Sequence, residues 1–392
     1  MISVSAAINQ LVRAATATDR KEQLPVTQSL GRVLATDITA TINVPPADNS
    51  AMDGYAFCYA DAQNTNFRLP LSQRIPAGAE PKPLNPSTVA RLFTGAEIPA
   101  GADTVAMQEN CTEQDGTVTI DGAVSVAANI RRKGQDIQAG QTVLSAGTQL
   151  RAQEMGLLSS IGIKTIEVFK PLRIAIFSTG DELVEPGEAL HSGQIYNSNR
   201  ATLTGLIQSL GMRRVDLGTV PDSLEATEAV LQKAAAEGDI ILSAGGVSVG
   251  DEDYVKRAVA ALGSIDFWKV AIKPGKPLAF GQVDSTPFIG LPGNPASVFV
   301  TFMILARPFL LACQGLKEVS PRALKAVAQF AKPGEKRQVY LRGKLTESGA
   351  EIYPNQSSGV LSSACWGDIF VVQQSGQSIQ VGDLVEVLPY SM

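Results

Sequence analysis

The sequence predicts a multidomain α/β plus β protein. It has a central doubly wound α/β domain, N-terminal mixed and β-barrel-like regions, and a small C-terminal β domain. Three observations carry that prediction. Strands alternate with helices over short links from Pro171 to Ala296, the pattern of a parallel sheet covered on both faces. Residues 57–127 and 321–392 break into short alternating stretches separated by Gly, Pro and Ser, as in small barrels or sandwiches. A chain of 392 residues also exceeds one ordinary core, and length favours about two to four domains. The expected divisions are 1–168, with a β-rich insertion at about 46–140, then 169–318 for the α/β domain and 319–392 for the last.

Composition narrows the function classes. Hydrophobic residues make up 44% and charged residues 18%, which fits a folded globular protein. A net charge of −5 leaves no polybasic footprint, so neither a nucleic-acid backbone nor an anionic membrane is expected as the main partner. Cys58, Cys111, Cys313 and Cys365 lie far apart with no Cys-x-x-Cys. They read as thiols of a reducing compartment, and a cytoplasmic location is expected. His191 is the sole histidine, which removes most zinc sites and Ser/His/Asp schemes. A metal here would take oxygen ligands, with Mg2+ the natural choice.

The first element is an amphipathic helix carrying Ile8, Leu11 and Val12, capped by Ser3 or Ser5. Leu24–Ala40 reads as extended segments around Gly31. Residues 44–56, VPPADNSAMDGYA, form a polar turn region in which Asp48, Ser50 and Asp53 present oxygen atoms. Thr94 sits in a turn cluster, TGAEIP, and residues 130–140 place Arg131, Arg132 and Lys133 beside Asp136. That combination is a solvated loop or a holder of an oxyanion. Residues 149–162 read as a helix stopped by Gly162.

From Arg173 onward the α/β grammar begins. Strands are expected at 173–177, 214–220 and 239–242, and helices after Asn197, after Asp222 or Ser223, and from Tyr254. Ligands in such sheets sit beyond the carboxyl ends of the strands. That rule gathers Ser178, Thr179, Gly180 and Glu182 with Asp222, with the stretch SAGGVSVGDEDY, and with Pro292, Gly293, Asn294 and Pro295. In the glycine-rich stretch, Ser243, Gly245, Gly246 and Gly250 lead to Asp251, Glu252 and Asp253 and then to a helix, which aims backbone N–H groups at an anion. Lys269, Lys273 and Lys276 surround a Pro/Gly turn close by. No Walker pattern or Gly-x-Gly-x-x-Gly is present, which disfavours an ordinary ATPase or nicotinamide dehydrogenase. The apolar run 296–313 is broken by Arg307 and Pro308, so it is expected to be a buried helix rather than a membrane span. In the last domain, Asn355–Ser358 and Ser362–Ser363 read as solvated turns in preference to ligand contacts, the other reading their composition allows.

Anion-binding loops, three lysines, an arginine pair and surplus acids together imply a polyanionic substrate handled with a divalent cation. Glu182 and Asp253 are read as the functional and metal-binding acids. Asp222, Asp251 and Glu252 fit equally well as helix-start acids, stabilised by the dipole at about 0.3–1 kcal/mol.

The strings DNSAMDGYA, TGAEIP, RRKGQDIQAG, STGDEL, GQIYNSN, SAGGVSVGDEDY, KPGKPLAFG and GLPGNPAS occur in this order from end to end. With them the chain resembles the MoeA family, which includes the E domain of gephyrin. The resemblance implies a molybdopterin molybdenumtransferase: adenylylated molybdopterin and molybdate are the substrates, Mg2+ is required, AMP is released and molybdenum cofactor is formed. It implies that the α/β domain is a molybdopterin-binding fold and that the N-terminal region serves dimerisation. The homodimer's cleft would then lie between the α/β domain of one subunit and the second domain of the other. Glu182, Asp253 and Asp222 resemble the family's functional acids. Lys269, Lys273 and Lys276 resemble its basic wall, and Pro292 and Pro295 its cleft-shaping prolines. Asp53, Thr94 and Asp136 resemble residues supplied across the dimer. The loop with Arg131, Arg132, Lys133 and Gln135 departs from an all-arginine, acid-containing version. The resemblance also admits transient contact with a molybdopterin adenylyltransferase or with cofactor-accepting enzymes. Alternative readings are a non-catalytic molybdopterin-binding scaffold and a related adenylyltransferase.

Overall fold

The computed structural model describes residues 1–246 and 254–391. Gly250 and Asp253, with Asp251 and Glu252, therefore lie outside the described residues. The α/β layer is one six-stranded sheet in the spatial order Arg213–Val220, Arg173–Thr179, Ile240–Ala244, Thr286–Leu291, Pro277–Val283, Gly263–Lys269. The first four strands are parallel and the last two pair antiparallel. This corrects the expectation of a wholly parallel sheet, and the reason is link length. Residues 270–276 are too few for a parallel crossover, which takes about a dozen or more. Asp284 and Ser285 then make a two-residue hairpin, with Asp284 at φ 51°.

Alternation along the parallel strands sends successive side chains to two different cores. Ile174, Ile176, Leu242 and Ile289 join Leu203, Ile207 and the residues of the long apolar helix on one face. Ala175, Phe177, Ile241 and Phe288 join Leu231, Ala234, Val255 and Ala258 on the other. Burial on both faces is why these strands read as continuous apolar runs. The N-terminal helix Val4–Ala14 is capped by Ser3, whose Oγ accepts the Ala6 N–H. It buries Val4, Ala7 and Leu11 in the first core, so the chain's start packs on the apolar helix of residues 302–313, far later in sequence.

The apolar run forms Pro295–Thr301, a wider turn at Phe302–Ala306, and Arg307–Cys313. Pro308 cannot donate to a carbonyl in the preceding turn, and the backbone widens just before it. The helix is long and apolar enough to cross a membrane, but 89% of its apolar window is buried inside the protein. It is the central core helix.

The C-terminal sheet has the order Ile272–Lys273, Gln338–Thr346, Ile369–Gln373, Leu384–Pro389, Leu324–Val327, with Gly349–Ile352 also on Gln338–Thr346. Its first strand comes from the α/β segment, between two strands of the other sheet, and pairs Ile272 with Gln338 and Lys273 with Val339. Near the N-terminus, Lys21–Pro25 pairs with Thr165–Phe169. Between them lies a β unit of order Thr104–Met107, Gly54–Phe57, Val89–Leu92, Arg68–Ile75, Thr117–Ile120, Cys111–Gln114.

One glycine in that unit has no substitute. A Cβ at Gly54 would lie 2.0 Å from the Ala106 carbonyl oxygen on the neighbouring strand. Gly54→Ala is therefore expected to destabilise the inserted unit by about 1–3 kcal/mol, read as a lower denaturation midpoint. Amide exchange should rise across Gly54–Phe57 and Thr104–Met107 while the α/β sheet keeps its protection.

Candidate functional site

A cleft of ≈ 730 Å3 opens at the carboxyl ends of the parallel strands. Thr179 ends the strand Arg173–Thr179 and Gly180 and Glu182 follow it, Asp222 follows Arg213–Val220, and Gly245 and Gly246 follow Ile240–Ala244. Pro292, Gly293, Asn294 and Pro295 follow Thr286–Leu291, and Lys273–Lys276 precede Pro277–Val283. Pro277–Val283 runs antiparallel, so its start lies at the same end of the sheet as the parallel strands' finish. That geometry carries the lysine loop to the cleft.

Backbone conformation shapes the floor. Gly246 has φ +65°, and a Cβ there would lie 2.4 Å from Val255 Cγ2, so the loop presses on the helix Tyr254–Leu262. Gly275 has φ +97°, and its Cβ would meet Thr301 Cγ2 at 2.4 Å. The Glu182 carboxylate folds back over Gly180, where a Cβ would lie 2.5 Å from Oε2. The Asp222 N–H donates to Asp181 Oδ1 at 3.1 Å, linking two loops of the cleft. Asn197 caps the helix Ser198–Ser209 by accepting from the Arg200 N–H and donates to Thr219 Oγ1 at 2.9 Å. Asn199 Nδ2 donates to the Gly293 carbonyl at 2.7 Å.

Three expected ligand contacts fall elsewhere. Ser178 and Ser243 are buried below the floor and are absent from the lining; Ser178 Oγ donates to Asn197 Oδ1 at 3.5 Å. Both sit on strand interiors buried on both faces, one step before the loops begin. Lys269 ends the edge strand Gly263–Lys269, opposite Pro277, and does not reach the lining.

Lys273 is not a free cation. Its Nζ pairs with Glu335 Oε1 at 2.7 Å, and the Lys273 ammonium holds the Glu335 carboxyl below its usual range against a smaller opposing effect of burial. Lys276 is exposed.

The C-terminal domain supplies one wall, and for Gln356, Ser357 and Ser358 this favours ligand contact over the preferred expectation of solvated turns. Arg337, Gln356, Ser357 and Ser358 line the cleft. Arg342, fully buried, donates from Nε to Ser363 Oγ at 2.9 Å and from Nη2 to the Ser357 carbonyl at 3.0 Å. Gln356 accepts the Arg342 N–H at 3.0 Å and donates to its carbonyl at 2.9 Å. The Ala296 N–H at the start of the core helix donates to the Ser358 carbonyl at 2.9 Å. The available signal was Arg342 itself, a charged residue within the apolar alternation Gln338–Leu345, since a buried guanidinium needs acceptors built around it.

The remaining candidates lie in the inserted unit and at its junction, outside this cleft. Asp53 accepts the Thr94 N–H at 2.7 Å and its hydroxyl at 2.8 Å. The Thr94 N–H chiefly, then its hydroxyl, holds the Asp53 carboxyl below the usual range. Asp48 accepts the Lys133 N–H at 2.7 Å and Arg132 Nη1 at 2.6 Å, and the Lys133 N–H is the main cause of its lowered pKa. Arg131 lies on the strand Ile130–Arg131, paired with Asn49–Ser50. The Asp136 side chain is exposed and its N–H donates to the Val44 carbonyl. These groups form a second polar surface that ties the loop 130–136 to the turn 44–53.

Residues 2–162 match the MoeA N-terminal region (domain I and II), 175–312 a probable molybdopterin binding domain, and 325–390 the MoeA C-terminal region (domain IV). The chain belongs to the MoeA family. It is 37% identical to the molybdopterin molybdenumtransferase of Haemophilus influenzae, over 100% of this chain and 99% of that one. It is 41% identical to that of a Nostoc species, over 80% and 75%. A crystal structure of a molybdopterin biosynthesis MoeA protein from Pyrococcus horikoshii superposes with a TM-score of 0.86 at 27% identity, over 100% of both chains. Another crystal structure of a molybdopterin biosynthesis MoeA protein from Pyrococcus horikoshii gives a TM-score of 0.81 at 30% identity, again over 100% of both chains.

The Lys273–Glu335 pair has a definite acid signature. Because the folded-state pKa of Glu335 is lowered, its contribution is complete above the ordinary carboxylate value, about 4.3, and disappears as pH falls through the lowered one. Both side chains are partly exposed, 40% and 32%, so about 0.2–1 kcal/mol is at stake. The stability difference between wild type and Glu335→Gln should be constant from about pH 7 to about pH 5 and shrink toward zero below about pH 4. Denaturation midpoints across that range check it.

Proposed function

We propose that the chain is a molybdopterin molybdenumtransferase, converting adenylylated molybdopterin and molybdate to molybdenum cofactor with release of AMP. The observation that carries this is one cleft bringing the acids Glu182 and Asp222, the glycine loop at Gly245–Gly246, and Lys273, Lys276 and Arg337 together. The names of relatives matched across the chain support it.

Each group has a job set by its chemistry. The flanking bases hold phosphate oxygens, and the glycines let a ligand approach the backbone closely, although the Gly245 N–H is itself given to the Leu291 carbonyl at 3.1 Å. Lys276 and Arg337 attract the oxyanion, while Glu335 restrains Lys273 so that its charge is placed rather than mobile. The prolines Pro292 and Pro295 narrow the backbone choices of the wall between them.

Among the described residues no group of three His, Cys, Asp or Glu could hold a metal ion by itself. Glu182 and Asp222 nevertheless offer the hard oxygen donors that suit Mg2+, which keeps few protein ligands and completes its shell with substrate phosphates and water. In that arrangement Glu182 and Asp222, with Asp253, would hold the ion. When bound it would offset charge developing on the departing AMP phosphate. Glu182 is packed against Gly180, so its carboxylate is already held at the loop that receives the substrate.

The proposed assembly is a homodimer in which the surface of Asp53, Thr94, Arg131, Arg132 and Asp136 faces the partner's cleft. Its support is that these groups are polar and hydrogen-bonded, yet do not line their own chain's cleft. A reducing, cytoplasmic setting is proposed on the four free cysteines.

Incubation with adenylylated molybdopterin, Mg2+ and molybdate, following AMP and cofactor, tests the reading. Glu182→Ala and Asp253→Ala should melt like wild type but lose about 100-fold or more of the rate. Chelation of Mg2+ should stop AMP release, and tungstate in parallel reports oxyanion preference. Wild-type rates in both variants would overturn the acid assignments. ATP-dependent adenylylation of molybdopterin without molybdate would favour the adenylyltransferase reading instead.

A further inference from the structure

Tyr196 is the single aromatic residue among the described residues lining the cleft. It lies with Ile195 on a short strand that pairs in parallel with Leu183–Val184, and the Ile195 N–H donates to the Glu182 carbonyl at 2.8 Å. The pair is thus mounted directly beside the acid loop. Both side chains are unusually open for apolar residues of a two-stranded element, 55% for Ile195 and 44% for Tyr196. The tyrosine is nevertheless held, because its hydroxyl donates to the Glu188 carbonyl at 2.9 Å. An exposed ring fixed at its far end presents a flat face with little ordering entropy left to lose on binding.

The sheet order sets the distance to the phosphate-binding groups. The strand Arg173–Thr179, which leads into the Glu182 loop, is three strand spacings from Pro277–Val283, which follows Lys276, or about 14 Å. That separation suits a ligand with a planar ring at one end and phosphates toward the other.

We infer that Tyr196 is the stacking platform for a planar heteroaromatic ring of the substrate, either the adenine or the pterin. This rests on the function proposed above and deepens it. Ring stacking tolerates different heterocycles because each presents a π face. The acid loop and the lysine loop would then set which end of the substrate lies where.

The experiment measures binding of AMP, of molybdopterin and of pyrophosphate to wild type, Tyr196→Ala and Tyr196→Phe, with thermal melting of all three proteins. Tyr196→Ala should weaken AMP or molybdopterin by roughly ten-fold or more and leave pyrophosphate unchanged. The arm that weakens identifies the ring. Tyr196→Phe keeps the face and loses the bond to Glu188, so its affinities should stay within about three-fold of wild type. Equal losses in Tyr196→Ala and Tyr196→Phe would make the residue a clasp for the loop 185–194 and overturn the inference. Unchanged ring binding in Tyr196→Ala, or a matching loss of pyrophosphate binding, would also overturn it. If Tyr196→Ala does not fold, the wild type decides through nuclear Overhauser contacts between the tyrosine ring protons and the ligand's ring protons, whose absence in the saturated complex counts against stacking. Wild type that binds neither AMP nor molybdopterin would instead remove the proposed function itself.

Discussion

The cleft depends on a two-residue strand lent by one sheet to another. Ile272 and Lys273 leave the α/β segment, pair with Gln338 and Val339, and return to begin Pro277–Val283. The Gln338 N–H donates to the Ala271 carbonyl and Arg337 Nη1 to the Ile272 carbonyl, so both sides of the exchange are bonded. Between these anchors the chain must turn sharply, and Gly275 meets that demand with φ +97° where a side chain would strike Thr301. The lysine loop is therefore placed by two sheets at once. Its position cannot drift without breaking a pairing in one of them.

The C-terminal domain is consequently part of the site and not an appendage to it. Phe299 of the core helix meets Tyr390 at 5.1 Å and Phe370 at 5.7 Å between ring centroids, so the domain is packed onto the helix whose first turn borders the cleft. Behind this packing Arg342 carries a buried charge with no carboxylate partner among its hydrogen bonds. Desolvation lowers its pKa, and burying such a cation without hydrogen-bond acceptors costs several kcal/mol. Ser363 and the loop bearing Ser357 supply the acceptors. Stability and site geometry are coupled through that one guanidinium.

The acids of the cleft follow two strands of the α/β sheet, whereas Lys273 and Arg337 are set by the C-terminal sheet. Exposed ion pairs contribute little by themselves, about 0.2–1 kcal/mol. Glu182 is held at Gly180, Asp222 at Asp181, and Lys273 by Glu335. Each is positioned by its own neighbour, which leaves the space between them for a substrate carrying phosphates.

The loops beyond the parallel strands were legible in the sequence because strand burial, glycine placement and helix caps are local signals. Asn197 and Ser223 mark their helix starts where the sequence places them, with Ser223 chosen over Asp222. Ser178 and Ser243 read as loop residues because sequence cannot say where a strand stops being covered, and Lys269 because its edge strand was taken for a turn. Arg337 carries no sequence signal, and Gln356, Ser357 and Ser358 read as turns before ligand contacts, for a different cause. A loop's exposure depends on what another domain places over it, and no local pattern records that.

By itself, then, the sequence determined the family, the alternation of strands and helices, and most of the residue types that meet at the strand ends, since these follow from periodicity and short-range backbone preferences. Tertiary structure alone decided that the terminal pair of strands runs antiparallel, that a strand is shared between two sheets, and that the last domain walls the cleft. Those outcomes rest on contacts between residues far apart in the chain, where link length, buried charge and packing settle the arrangement together.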